Sequence, residues 1–204
     1  MRQKLELVPA TQDIEVDLVT LEKLKLVLGL PDSEDEANAA RITLASELIA
    51  EACDRQFGYA SALETFEFDT WETSRGGQVL GLSLYPNITI ESVTHGETVL
   101  AEADYVLDAT LGRIWRAGSV PWTGIVAIAY SGGYDLPEGA PAGLEAAVIE
   151  SVRGRRMSSA RDPGLREVSH GDVSVGYFSS EVTAGGVTSA VNALINPYKR
   201  IPFA

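Results

Sequence analysis

Residues 33–68 read SEDEANAARITLASELIAEACDRQFGYASALETFEF, and within them the spacing of apolar side chains changes from a helical to a strand period. Ser33 followed by Glu36 has capping-box spacing, and Glu34, Asp35 and Glu36 suit the positive end of a helix dipole. Beyond them Ala37, Ala40, Leu44, Ala45, Leu48, Ile49, Ala52 and Cys53 trace one helical stripe, flanked by Arg41, Glu47 and Asp54, and Gly58 suits a left-handed terminating position. Phe66 and Phe68 then alternate with polar neighbours, as in a strand with one buried face. A long packed helix running into strands defines an α+β chain.

Outward from this stretch the same two periods recur. Thr20 precedes Leu21, Leu24, Val27 and Leu28, with Gly29 and Pro31 behind them, which predicts a short threonine-capped helix. From Leu63 to Tyr130 short strands follow one another: Ile88 alternates with Ile90, His95-Gly96 and Leu111-Gly112 read as turns, and GIVAIAY (124–130) closes the sheet as a buried strand. A Gly- and Pro-rich loop over 131–143 leads into a helix over 142–157 with Leu144, Ala147, Val148 and Val152 on its apolar face. Residues 158–164 read as a loop, 167–178 as a hairpin through Gly171-Asp172, Ala184-Gly185-Gly186 as a joint, and 188–195 as a last helix stopped by Asn196-Pro197. The expected architecture is a helical bundle core with an inserted antiparallel β region and a flexible C-terminal helix and tail. Its parts are a helical 1–62, a β-rich 63–131, a helix plus hairpin over 132–183, and a C-terminal helix and tail over 184–204.

The chain has 204 residues, enough to bury roughly 70% of its unfolded surface without a staple. With 45% hydrophobic and 22% charged residues it is globular, and its uninterrupted apolar runs are strand-sized, so neither a disordered chain nor a membrane span fits. The N-terminal residues lack a continuous apolar core, so no signal peptide is read and cytoplasmic synthesis is expected. The net charge of −13 is divided unevenly: residues 1–110 hold 21 acids and 7 bases, net −14, and residues 111–204 hold 8 and 9, net +1. A general grip on nucleic acid needs clustered cations, which only the C-terminal half can offer.

The chemistry-bearing residues are few. No phosphate-cradling GxGxxG or GxxxxGK, no HExxH and no GxSxG is present. The single cysteine, Cys53, reads as a small buried hydrophobe, and the two histidines, His95 and His170, as turn residues, so no catalytic residue, metal site or cofactor is assigned. Asp32, Glu34, Asp35 and Glu36 have the composition of a cation or acid–base site, but their place at a helix start accounts for them. Trp71, Trp115 and Trp122 read as core or interface anchors. Arg153, Arg155, Arg156, Arg161 and Arg166 either offset a helix C-terminus or form a basic docking patch.

In order and spacing, several pieces resemble the head–tail connector (adaptor) family of tailed bacteriophages over roughly Leu18 to Arg200. They are LVTLEKLKLVLGL (18–30), ACDRQFG (52–58), LGLSLYPNITIESVTHGETVL (80–100), DYVLDATLGRIW (104–115), VAIAYSGGYDLP (126–137), HGDVSVGYF (170–178) and ALINPYKR (193–200). The terminal run is similar to the family's Leu-Leu-x-Pro-Tyr-Arg ending, with Lys199 in the place of arginine. The resemblance implies a structural virion protein of the neck, without enzymatic activity. It implies a homo-oligomeric ring, usually of twelve, that extends the channel beneath the portal protein, meets a neck or tail-completion protein, and lets DNA pass without sequence-specific binding. It also implies portal docking through Leu194, Ile195, Pro197, Tyr198, Lys199, Arg200 and Phe203, on a tail that orders when it binds. A small acidic hydrolase using the 32–36 cluster and a monomeric protein-interaction module are the competing readings.

Overall fold

The computed structural model describes residues 1–8, 13–68, 79–159, 167–170, 173–176 and 187–200. They fall into two units, each built from separated pieces of chain. One comprises 1–15, 55–136 and 200–204, the other 16–54 and 137–199. This division departs from the expected boundaries at 62, 131 and 183, because strand pairing and helix packing join distant segments.

The first unit is a sheet unit. Strands β1 (Arg2–Leu7), β2 (Ala60–Glu67), β4 (Thr89–His95), β5 (Thr98–Val99) and β8 (Ile125–Gly132) form a five-stranded sheet in the order β1-β2-β8-β4-β5. The N-terminal residues, expected to be part of a helical segment, are thus an edge strand paired with β2 from Arg2↔Glu67 to Leu7↔Ala62. Strand β8 does not close the sheet but lies at its centre, antiparallel to both β2 and β4. Its register puts Tyr130 opposite Ala62 and Val126 opposite Phe66, and these side chains are buried on one face while Ile125 stands exposed. A register shift between Ile90 and Ser92 interrupts the alternation, so the inward phase resumes at Val93. Strands β3 (Leu80–Gly81), β6 (Tyr105–Asp108) and β7 (Arg113–Arg116) form a second sheet, order β3-β7-β6. The core gathers Phe66, Leu80, Leu84, Ile114, Trp122 and Ile128 around these inner faces.

The second unit holds α1 (Leu21–Leu28), α2 (Asp35–Cys53), α3 (Ala142–Ser159) and α4 (Ser189–Ile195). Thr20 caps α1 by accepting from the Lys23 amide at 3.2 Å, and Gly29 ends it at φ +63°. The expected capping box of α2 is absent: a 3₁₀ turn over Asp32–Glu34 leads in, and the Glu34 carboxylate is engaged elsewhere. Asp54, not Gly58, takes the left-handed terminating conformation. Gly58 serves close packing instead, since a Cβ there would lie 2.3 Å from the Glu15 carbonyl oxygen.

The buried face of α2 also differs from the expected stripe. Asn38, Ile42, Ala45, Ser46, Ile49 and Cys53 are buried, whereas Ala37, Ala40 and Leu44 are exposed. The helix is apolar over a wider arc than its neighbours within the unit cover. Helix α4 packs on α3, with Val187, Val191 and Ile195 buried at helical spacing, so the C-terminal helix is a packed element and not a flexible appendage. Strands β9 (Glu167–His170) and β10 (Val173–Gly176) pair as an antiparallel hairpin from Glu167↔Gly176 to His170↔Val173.

Candidate functional site

The C-terminal segment assigned to docking divides in the structure. Thr188 caps α4 through the Val191 amide at 3.3 Å. Ile195 is wholly buried, and its carbonyl lies 3.9 Å from the Cys53 thiol, so it belongs to the core and offers no docking side chain. Pro197 is exposed, and Leu194, Tyr198, Lys199 and Arg200 are half-buried. A 3₁₀ turn over Asn196–Tyr198 carries Tyr198 onto α3, where a Cβ on Gly143 would come within 2.7 Å of the phenol oxygen. Lys199 Nζ donates to Asn192 Oδ1 at 2.7 Å. The run NPYK is therefore folded on the helices, with the Tyr198 ring against Gly143 and Lys199 bonded to Asn192. Phe203 lies outside the described residues.

The arginines expected to form one patch are also separated. Arg156 donates to Glu34, and to the buried Asn38 at 3.3 Å, so it ties α3 to the start of α2. Arg41 reaches the same Glu34 at 3.3 Å and Asn38 at 2.7 Å. Arg153 pairs with Glu150 one turn back at 2.7 Å, whereas Arg155 is exposed with no partner among the described residues. Arg161 and Arg166 lie outside the described residues.

These pairs also account for the acidic helix start. Lys25 binds both Asp32 and Asp35, the latter at 2.7 Å. The bonds to Asp32 and then to Asp35 raise the Lys25 pKa, and the Lys25 bond lowers that of Asp32. Glu34 is held below the ordinary carboxylate range by Arg156 first and Arg41 second. A general base needs a proton affinity near neutrality, and Asp32 and Glu34 are shifted the other way. Among the described residues no group of three or more His, Cys, Asp or Glu side chains is placed to hold a metal ion. No described helix is long and apolar enough to cross a membrane.

The sheet unit holds polar groups that the sequence reading passed over. Glu64 is fully buried on the inner face of β2. Its carboxylate accepts from the Ser83 amide at 3.0 Å, the Ser83 hydroxyl at 2.7 Å, the Tyr130 phenol at 2.6 Å and the Gln3 amide. The Tyr130 oxygen in turn accepts from the Ser83 and Leu84 amides, both at 3.1 Å. Burial first, then the neighbouring Glu64 charge, pushes the phenol well above its ordinary range. The signal was in the sequence: Ala60, Ala62, Glu64, Phe66 and Phe68 share one face of a period-two run, so the acid had to point inward. Arg55 was missed as well. It is 8% exposed, and its guanidinium stacks 3.6 Å from the Tyr85 ring centre and 4.8 Å from that of Phe57, joining the DRQFG and LYPN segments.

His95 is not a turn residue, since Gly96 and Glu97 make the tight connection between β4 and β5. Its Nδ1 accepts from Arg116 at 3.0 Å, which leaves Nε2 to donate to the Thr123 carbonyl at 2.7 Å. The ring meets the edge of the buried Trp122 at 5.8 Å. Trp115 is half-buried, and Trp71 lies outside the described residues. Trp115 also lines a cavity of about 270 Å³ together with Val79, Asp108, Arg113, Arg116 and Val120.

The two units, each built from separated stretches of chain, together make a mixed α+β fold. No family model and no curated protein matches the chain. Among solved structures it is similar to a chain in the neck of an empty gene transfer agent (GTA) particle, computed with C6 symmetry. The TM-score is 0.55 and the identity 17%, over 98% of this chain and 97% of the other. A chain in the virion of the native GTA particle matches with the same TM-score, identity and coverage. At this identity the likeness is one of fold.

Proposed function

We propose that the chain is a structural head–tail connector of a tailed-phage-like particle, made in the host cytoplasm and resident in the virion neck. The observation that carries this reading is the two-way coverage: 98% of this chain aligns with 97% of a GTA neck chain, so the likeness spans both units. In this role the protein is not an enzyme. It assembles into a ring, of twelve copies by the family resemblance, below a portal protein, and presents its other surface to a neck or tail-completion protein.

The acidic half supports a channel through which DNA slides, because a negative wall repels phosphate where a basic wall would retain it. Docking to the portal falls to Leu194, Pro197, Tyr198, Lys199 and Arg200, with Phe203 beyond them. The exposed Pro197 and the half-buried Leu194, Tyr198, Lys199 and Arg200 support this assignment, since part of each side chain is open to a partner. The test is light scattering on size-exclusion fractions of the full chain mixed with its portal. A complex much larger than either component is expected, and absence of association under all assembly conditions refutes the reading. Pro197→Asp should weaken association while leaving helix content unchanged; undiminished binding would move the docking site elsewhere.

A further inference from the structure

We infer that the outward face of α2 is the surface on which a second copy of this chain docks, through the arginine-bearing end of α3. This deepens the connector reading, on which it rests, by naming the contact between ring neighbours.

The argument begins with the mismatch between pattern and burial on α2. Ala37, Ala40 and Leu44 are exposed, Leu44 at 46%, and Leu48 beside them is only half-buried. At 1.5 Å per residue they form an apolar ridge about 16 Å long on the side away from Ile42 and Ile49. A helix apolar on both faces is covered on both in its working state. Along the ridge stand the exposed Glu47 and Glu51, and the one cation at its edge, Arg41, is already engaged by Glu34 and Asn38.

The occupant follows from charge. A partner for this ridge must offer apolar contact with cations beside it. The last two turns of α3 do so: Met157 is 53% exposed, Arg155 is exposed, and Arg153 keeps nearly half its side chain in solvent although it touches Glu150. Within one copy this end of α3 already uses Arg156 to bind an acid of α2, Glu34, so the same chemistry serves between copies. Because the two surfaces are different patches of one chain, the contact is heterologous. Repeating such a contact gives a ring where the rotation closes, which is the arrangement the connector reading requires.

Sedimentation of the full chain, alone over a concentration series and bound to its portal, provides the test. The variants are Leu44→Asp, the pair Glu47→Arg with Glu51→Arg, the pair Arg153→Glu with Arg155→Glu, and the two pairs combined. All five side chains are exposed, and circular dichroism checks that each variant is folded. Either charge-reversed pair should weaken self-association at least about tenfold, Leu44→Asp should do the same, and the combined variant should recover it. Self-association indifferent to these changes, or loss without recovery in the combined variant, overturns the interface. A chain that joins the portal but ignores the reversals overturns this contact and leaves the connector reading standing. One that self-associates through the contact but never joins the portal does the opposite. A wild-type chain monomeric alone and on the portal overturns both.

Discussion

Replacing Glu64 by glutamine changes one atom in the sheet core, and the consequence can be worked from the bonds around it. All the groups facing the carboxylate are donors: the Ser83 amide and Tyr130 phenol on one oxygen, the Ser83 hydroxyl and Gln3 amide on the other. Whichever way the new amide turns, its NH₂ meets a donor. The least costly orientation points it at Ser83 Oγ and Gln3, because a hydroxyl can rotate and an amide can flip. Flipping Gln3 then gives up its 2.9 Å bond to the Gly81 carbonyl. Loss of one charge-assisted bond and one neutral bond amounts to about 2–4 kcal/mol, or about 4–16 °C in melting temperature for a chain of this size. Glu64→Ala leaves the Ser83 hydroxyl and the Tyr130 phenol without their acceptor, while the Ser83 amide keeps Tyr130 and Gln3 keeps the Gly81 carbonyl, and it should cost about 2–6 kcal/mol, a large part of ordinary domain stability. Urea unfolding followed by tryptophan fluorescence reads the sheet unit through Trp122, which is fully buried in its core. The exposed Glu91→Gln on β4 is the control and should stay within about 0.5 kcal/mol of wild type. A Glu64→Gln midpoint indistinguishable from that control would refute the reasoning.

Three further outcomes follow from the same structure. The Tyr130 pKa is raised in the folded state above its ordinary 10.0, so its contribution is present below pH 10 and is lost as pH rises beyond that value. Tyr130→Phe should therefore be less stable at neutral pH yet fall less steeply in alkali, and equal alkaline slopes in urea titrations would contradict this. Glu34 is depressed below its ordinary 4.5, so its contribution is present above pH 4.5 and is lost as pH falls further. Arg156→Gln, which leaves only Arg41 on Glu34, should flatten the acid limb of helix unfolding measured by circular dichroism, and an unchanged limb would count against the pairing. At Gly58 an added Cβ meets a backbone oxygen rather than a mobile side chain. Gly58→Ala should cost about 1–3 kcal/mol, and a neutral result in thermal melts would show that the 13–15 segment yields without penalty.

The sequence made some levels of this structure readable and hid others, for identifiable reasons. The helices at 21–28, 35–53 and 142–159 and the strand-rich middle follow from local period and capping. The orientation of α2 does not, because alanines and leucines occupy nearly its whole circumference, and only the partners decide which arc is buried. Strand order is equally non-local: nothing in RQKLEL reveals that it pairs with residues 60 positions away. Glu64 was legible in principle from its phase among Ala62 and Phe66, whereas its donors arrive from Gln3, Ser83 and Tyr130, three separate parts of the chain. The arginine run at 153–156 shows the limit of reading charge by sequence. Neighbours along a helix point in different directions, and two of them, Arg153 and Arg156, already meet acids inside their own unit.

The division of the chain has a bearing on how the protein is made. The sheet unit is opened by residues 1–15 and left incomplete while 16–54 are added to the other unit. Its central strand β8 ends only at Gly132, and β1 has no neighbour but β2 among the described residues. On the ribosome the N-terminal strand can meet β2 once residue 67 has emerged, but the sheet's central strand comes only after more than half of the chain, and the first two helices must wait for α3 and α4. Neither unit is a contiguous segment that expression of one half could supply. Cutting between 54 and 55 would take a strand from one unit and two helices from the other, so fragments should be insoluble separately and recover only when mixed. The sheet core can close once β8 has emerged, whereas the helical core waits for α4 near the end of the chain, so the sheet unit is set to form first.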